Sequence, residues 1–286
     1  TSSNNIAIGQ DSMAANTTGD RNTAVGSFSF DANTTGAQNV AIGYAALTAN
    51  TTASANVAIG DSSMEANTTG ASNVAIGEDA LKANTTGGSN VAIGATALDA
   101  NTTASSNTAV GAASMSANTT GSQNTALGFN TLPLNTTGTG STAIGYQALL
   151  SNTTGTNTGI GYQALYSNTT GTSNTSVGLN SGFSATTGDQ NTYLGISAGE
   201  NVTGGSNNTL IGANAGDAAN IGSTTAVGHD CLTSVTGDEN TAIGEAALQS
   251  VTSGSRNSGL GRAAGENMTT GSDNVAIGRD SMDNIS

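Results

Sequence analysis

The stretch Asn39-Val40-Ala41-Ile42-Gly43-Tyr44-Ala45-Ala46-Leu47-Thr48-Ala49-Asn50-Thr51-Thr52, closed by a three-residue connector, decides the fold because the chain repeats it from end to end. Aligned on the glycine that ends Ala-Ile-Gly, the copies fall at Gly9, Gly26, Gly43, Gly60, Gly77, Gly94, Gly111, Gly128, Gly145, Gly161, Gly178, Gly195, Gly212, Gly228, Gly244, Gly261 and Gly278, 17 in all. The first and last are 269 residues apart, covered in thirteen steps of 17 and three of 16, so the register hardly drifts. A unit this short cannot hold two helices with their loops, which excludes helical solenoids with periods of about 33 or more. It does hold two strands of four or five residues joined by tight turns. Asn-Val-Ala-Ile reads as one strand and Ala-Leu-x-Ala-Asn-Thr-Thr as the other. A single helical turn is the alternative for the second segment, given the helix propensity of Tyr44 to Ala49. The expected fold is all-β: a parallel β-solenoid, or β-roll, of 17 coils with about 17 residues each, stacked at about 4.8 Å into a rod roughly 80 Å long.

Alternation along a strand then assigns faces. The residue before the glycine is Ile, Val or Leu in every copy, which places Val40 and Ile42 in a thin core opposite Leu47 and Ala49. The residue two before the glycine is Ala in 12 of the 17 copies, the exceptions being Gly159, Ser176, Tyr193, Leu210 and Gly259. A solvent-facing strand position would tolerate Thr, Lys or Glu, so a stripe of small residues at Ala41, Ala58, Ala75 and Ala92 signals close approach of another backbone. The expectation is interchain packing in a parallel homotrimer; the alternative is that these alanines face inward where little space exists. Asn stands four before the glycine in 15 copies and again at the head of each Asn-Thr-Thr, from Asn16 to Asn168. Stacked coils bring such side chains into register as amide ladders, a structural explanation that displaces the reading of Asn-Thr-Thr as a glycosylation signal.

Composition narrows the function. Only 8% of the 286 residues are charged and 3% aromatic, while 40 are Gly. Five Lys and Arg against 19 Asp and Glu give a net charge of −14, which argues against a phosphate-neutralising surface. Hydrophobic residues still make up 35%, too many for a solvated acidic tail. With one Pro and no Gly-X-Y period collagen is out, and no apolar run approaches the ~18 residues that span a membrane. The chain reads as one domain, 1–286, in two grades. Regular repeats run through 1–177. In 178–286 the Leu or Met position becomes Gly182, Gly199, Gly216 and Gly265, and Asn-Thr-Thr degrades to forms such as Val235-Thr236. Both ends cut through a repeat without a polar cap, so flanking segments are expected in a longer chain.

Repeats of the form Asn39 to Gly43 and Asn73 to Gly77 resemble those in the β-roll heads of trimeric autotransporter adhesins and, more closely, the repeat-rich shafts of phage tail fibres. The resemblance covers essentially the whole chain, although adhesin head repeats are shorter than these. It implies a left-handed parallel β-roll, three chains side by side, acting in attachment outside the cell: a virion tail fibre or a bacterial surface fibre that holds a binding element toward a host glycan or receptor. Enzymatic activity, cofactors, nucleic-acid partners and membrane insertion are not expected.

Residues with chemistry are few. His229-Asp230-Cys231 holds the only His and the only Cys, short of the three or four ligands a zinc site needs. Acidic residues such as Asp61, Glu78 and Asp99 do not form the Asp-bearing motif of calcium-binding rolls, which leaves a calcium-dependent matrix or surface-layer fibre as an alternative without a motif. The position after the glycine carries Phe129, Tyr146, Tyr162, Leu179 and Ile196 in five successive coils. Phe129, Tyr146 and Tyr162 are therefore the candidate ligand-binding residues, as sugar-stacking rings, with interchain packing as the competing use. The Thr17-Thr18 and Thr34-Thr35 pairs and their equivalents suggest an ice-binding array as the main functional rival. Adjacent threonines on a strand point to opposite faces, which halves that array.

Overall fold

The computed structural model describes residues 2–218 and 221–282. They form an all-β parallel solenoid with one three-residue strand per coil, from β1 (Ile6–Ile8) to β17 (Val275–Ile277). The chain divides into two compact units, Thr1–Ser141 and Thr142–Ser286. In the first, β1 to β8 (Thr125–Leu127) pair consecutively and in parallel, so that in β3 (Val40–Ile42) and β4 (Val57–Ile59) Val40 stands beside Val57, Ala41 beside Ala58 and Ile42 beside Ile59. In the second, β9 (Thr142–Ile144) to β17 pair in the same manner. Each coil is named below by its glycine.

Among the described residues the second expected strand is absent, and so is the helical turn. The segment after the glycine has positive φ at alternate residues, 51° at Ala45 and 56° at Leu47, a pattern that belongs to neither regular structure. Its donors still find partners in adjacent coils. Ala45 N–H reaches Ser27 O in the preceding coil at 3.0 Å, and Leu47 N–H reaches Ser63 O in the following coil at 2.9 Å. A left-handed conformation costs a residue with a Cβ about 1–2 kcal/mol. Complete burial of the Leu47 side chain returns about 2 kcal/mol, which offsets the strain at that residue. The glycine at the head of the segment has no substitute: Gly43 has φ 139°, and a Cβ there would run into the carbonyl of Gly60 one coil on.

The strand faces are the reverse of the sequence expectation. Ala41, Ala58, Ala75 and Ala92 are fully buried inside their own chain and cannot be an interchain contact. Val40 is half-buried and Ile42 is 37% exposed. The alternation was right and its phase was off by one residue, which turns every side chain over. The physical reason is volume. A coil of this length is already filled from the far side by Leu47, so only a methyl fits at mid-strand. Even at Gly159 a Cβ would lie 3.2 Å from Leu149 Cγ of the neighbouring coil.

Asparagine supplies the rest of the interior. Asn39 N–H donates to Asn22 Oδ1 at 2.9 Å and Asn39 Nδ2 to Ala53 O at 3.0 Å, bonding the coil to its neighbour and closing it on itself. A second ladder runs amide to amide through the first unit: Asn67 Nδ2 to Asn50 Oδ1 (3.1 Å), Asn84 Nδ2 to Asn67 Oδ1 (2.8 Å) and Asn101 Nδ2 to Asn84 Oδ1 (2.8 Å). These amides are fully buried, so each must be hydrogen-bonded to be tolerated, and none offers an accessible nitrogen for glycosylation in the folded chain.

Candidate functional site

The interior is occupied, and two of the outer surfaces bear on function. The first is the outward side of the sheet. In the unit Thr1–Ser141 it carries two adjacent rows, one of Ile, Val and Thr (Ile6, Thr23, Val40, Val57) and one of Ile, Val and Leu (Ile8, Val25, Ile42, Ile59). Eight strands about 4.8 Å apart and two side chains wide have a footprint on the order of 400 Å², within the range of the largest apolar patch on a typical monomer, which is often functional. In the other unit the first row is largely Thr, from Thr142 to Thr241, beside an aliphatic row in which Leu194, Ile243 and Leu260 are exposed.

The second surface is the turn that follows each glycine, built from the first, second and fifth residues after it. Their adjacency shows wherever they are charged or aromatic. Lys82 Nζ lies 2.9 Å from Asp79 Oδ1 and 3.8 Å from Glu65 Oε2 of the neighbouring coil. Phe28 meets Tyr44 edge to face at 5.9 Å. Thr48 Oγ1 donates to Ala45 O at 2.7 Å and to Phe28 O at 2.9 Å.

On this surface the Gly145, Gly161 and Gly178 coils bring four rings and two amides together. Tyr146 and Tyr162 stack with centroids 5.2 Å apart and planes within 10°, exposed by 42% and 48%. Tyr166 and Phe183, at the fifth position, stack at 4.8 Å and 10°. Gln163 Nε2 donates to Gln147 Oε1 at 2.9 Å at the second position. Leu179 and Ile196 continue the first row as exposed residues. Phe129, the third candidate from the sequence, is exposed in the unit Thr1–Ser141. Sequence reasoning found Tyr146 and Tyr162 and missed Tyr166, Phe183, Gln147 and Gln163. The signal for them was present, since Tyr166 and Phe183 are one period of 17 apart at a shared offset from the glycine. A second signal was charge: residues 100–188 contain no Asp, Glu, Lys, Arg or His.

The other candidates disperse. His229 is exposed and lies 3.2 Å from Asp230, whereas Cys231 is fully buried with its Sγ–H toward Gly228 O at 3.1 Å. Burial pushes that thiol up to about 12, so it is not a thiolate near neutral pH. Among the described residues no three His, Cys, Asp or Glu side chains gather to hold a metal. The threonine pairs split as alternation requires: Thr17 Oγ1 donates to Thr34 O at 2.8 Å and Thr34 Oγ1 to Thr51 O at 3.0 Å, while Thr18, Thr35 and Thr52 form a single exposed row. No helix among the described residues is long and apolar enough to cross a membrane. Compared with known proteins, the sequence matches no family model and no curated relative.

Proposed function

We propose that the chain is a non-enzymatic structural segment of an extracellular attachment fibre, akin to the shaft of a tail fibre or a surface adhesin, assembled as a parallel homotrimer. The observation that carries this reading is the outward sheet surface of the first unit, an aliphatic row repeated at every coil beside a second row of Ile, Val and Thr. Copies packed side by side would cover those rows. The alanine stripe plays no part in that contact, and Ile42, Ile59 and Ile76 take its place. The closed and repetitive interior suits a spacer, since the coils bond their backbone and most of their buried amides to immediate neighbours.

Sedimentation equilibrium tests the assembly: three times 27.6 kDa supports it, and a folded monomer at micromolar concentration overturns it. A thermal-hysteresis assay separates the ice-binding reading, which the row of Thr18, Thr35 and Thr52 or the outward sheet row from Thr142 to Thr241 would have to carry.

A further inference from the structure

The coil does not require rings or glutamines on its turn surface. The first position after the glycine is Ala95 and Ala112 in coils that close in the same way, and the second is Ala45 and Ala113. Elsewhere this surface is charged, as at Asp61, Asp79 and Lys82, or at Arg262 and Asp280. In the Gly145, Gly161 and Gly178 coils it is aromatic, amide-bearing and free of charge. Parallel rings in contact are about 3.5 Å apart, so centroids at 5.2 Å and 4.8 Å mean the rings are offset, each leaving part of a face uncovered. The single bond between Gln163 and Gln147 leaves the amide donors of Gln147 and the acceptor of Gln163 available between the two ring strips.

We propose that this surface binds a neutral polysaccharide, with pyranose units lying along the coil stack. Their C–H faces rest on Tyr146, Tyr162, Tyr166 and Phe183, and their hydroxyls bond to the Gln147 and Gln163 amides. A pyranose unit advances its chain by close to the ~4.8 Å that separates coils, so successive units meet equivalent side chains. An anionic glycan finds no cation here, and the net charge of −14 repels it. A second copy of the chain fits this surface less well than the sheet rows, because two such surfaces face to face would bury amides against rings. The proposal rests on the attachment reading and names what is attached to.

The test is native affinity electrophoresis of the full chain through gels containing soluble dextran, mixed-linkage β-glucan, mannan or galactan, with hyaluronate as the anionic control. Retardation by at least one neutral polymer and none by hyaluronate is expected. Tyr162→Leu, Tyr166→Leu and Phe183→Leu together should weaken it by about tenfold or more. Leu179 already occupies the first of those positions one coil on, so the fold should persist. Gln147→Ala with Gln163→Ala should weaken retardation without moving Tm, and Asp61→Asn should leave it unchanged. The proposal fails if no neutral polymer retards the chain, or if the leucine variant is retarded equally. It also fails if that variant sediments at a different mass, which would make the surface a self-contact. A monomer still retarded by a neutral glycan would overturn the fibre reading and leave the binding surface standing.

Discussion

The coils of the first unit and those around Gly195 in the second fill the same coil geometry with opposite choices of side chain. In the Gly77 coil the interior holds Ala75 at mid-strand, Leu81 beyond the turn and Asn84 in the amide ladder, all fully buried. In the Gly195 coil it holds Tyr193, Gly199 and Val202 at the same places. A Cβ at Gly182 or Gly199 would lie 2.7 Å or 2.5 Å from the Tyr193 ring, so the large residue has moved from one wall to the other. What each coil conserves is interior volume rather than any residue. The leucine position keeps positive φ in both, 52° at Leu81 and 61° at Gly199.

The sharpest way to break this comparison is to transplant half of it. Ala75→Tyr alone overfills a closed interior and should destabilise by about 3 kcal/mol or more. Adding Met64→Gly and Leu81→Gly, the counterparts of Gly182 and Gly199, should recover most of the loss, a coupling that urea titration of the single, double and triple variants would measure. If the glycine substitutions add to the damage instead, the two interiors are not equivalent.

The amide ladder differs in kind, because a hydrogen-bonded row cannot be exchanged one member at a time. Asn84→Val in mid-ladder removes the partner of both Asn67 Oδ1 and Asn101 Nδ2 and should cost about 2–3 kcal/mol. At Asn168 the ladder gives way to Ala185, and its Nδ2 is buried without a partner. Asn168→Val should therefore stay within about 1 kcal/mol of neutral. Equal losses at the two sites would mean that the amides act by shape alone.

Much of this was legible in the sequence: the period, the coil count, the parallel stack and both ladders follow from residues recurring at fixed offsets. The face assignment was not read, because ranking side chains by hydrophobicity puts Ile76 inside. The clue lay in the exceptions. Where Ala becomes Tyr193 or Leu210 the neighbouring Leu becomes Gly199 or Gly216, and residues that trade volume share an interior. The missing second strand was not legible at all, since leucine in a left-handed conformation contradicts its own propensity and is held there by burial. The corrected phase has a direct consequence. Ile76→Asp, which a buried position would punish by several kcal/mol, should change the stability of the isolated chain by less than about 1 kcal/mol while shifting sedimentation toward the monomer. A large fall in Tm with unchanged mass would restore the original faces.

The smallest expected effect separates the charged turn surface of the coils up to Asp99 from the uncharged one of the run 100–188. Asp99 follows Gly94 by five residues. Burial pushes its carboxyl above the ordinary value, against the opposing pull of backbone donors at Asp99 and Ala100, and its Oδ1 has no hydrogen-bond partner. A carboxyl with a raised value in the folded state holds its proton more tightly there than when unfolded. Its contribution to stability is thus fully present below the ordinary carboxylate value and is lost as pH rises through the raised one. Asp99→Asn removes that titration and little else, whereas Asp273, held below its ordinary value by Arg256, titrates with the opposite sign and is common to both proteins. The difference in Tm, variant minus parent, should be near zero at about pH 3 and positive at about pH 6, because only the parent must carry a half-buried anion at the higher pH. A difference that is flat across that range would show that solvent reaches the Asp99 carboxylate freely. The turn surface would then tolerate charge in any coil, and the uncharged run from 100 to 188 would owe nothing to the demands of the fold.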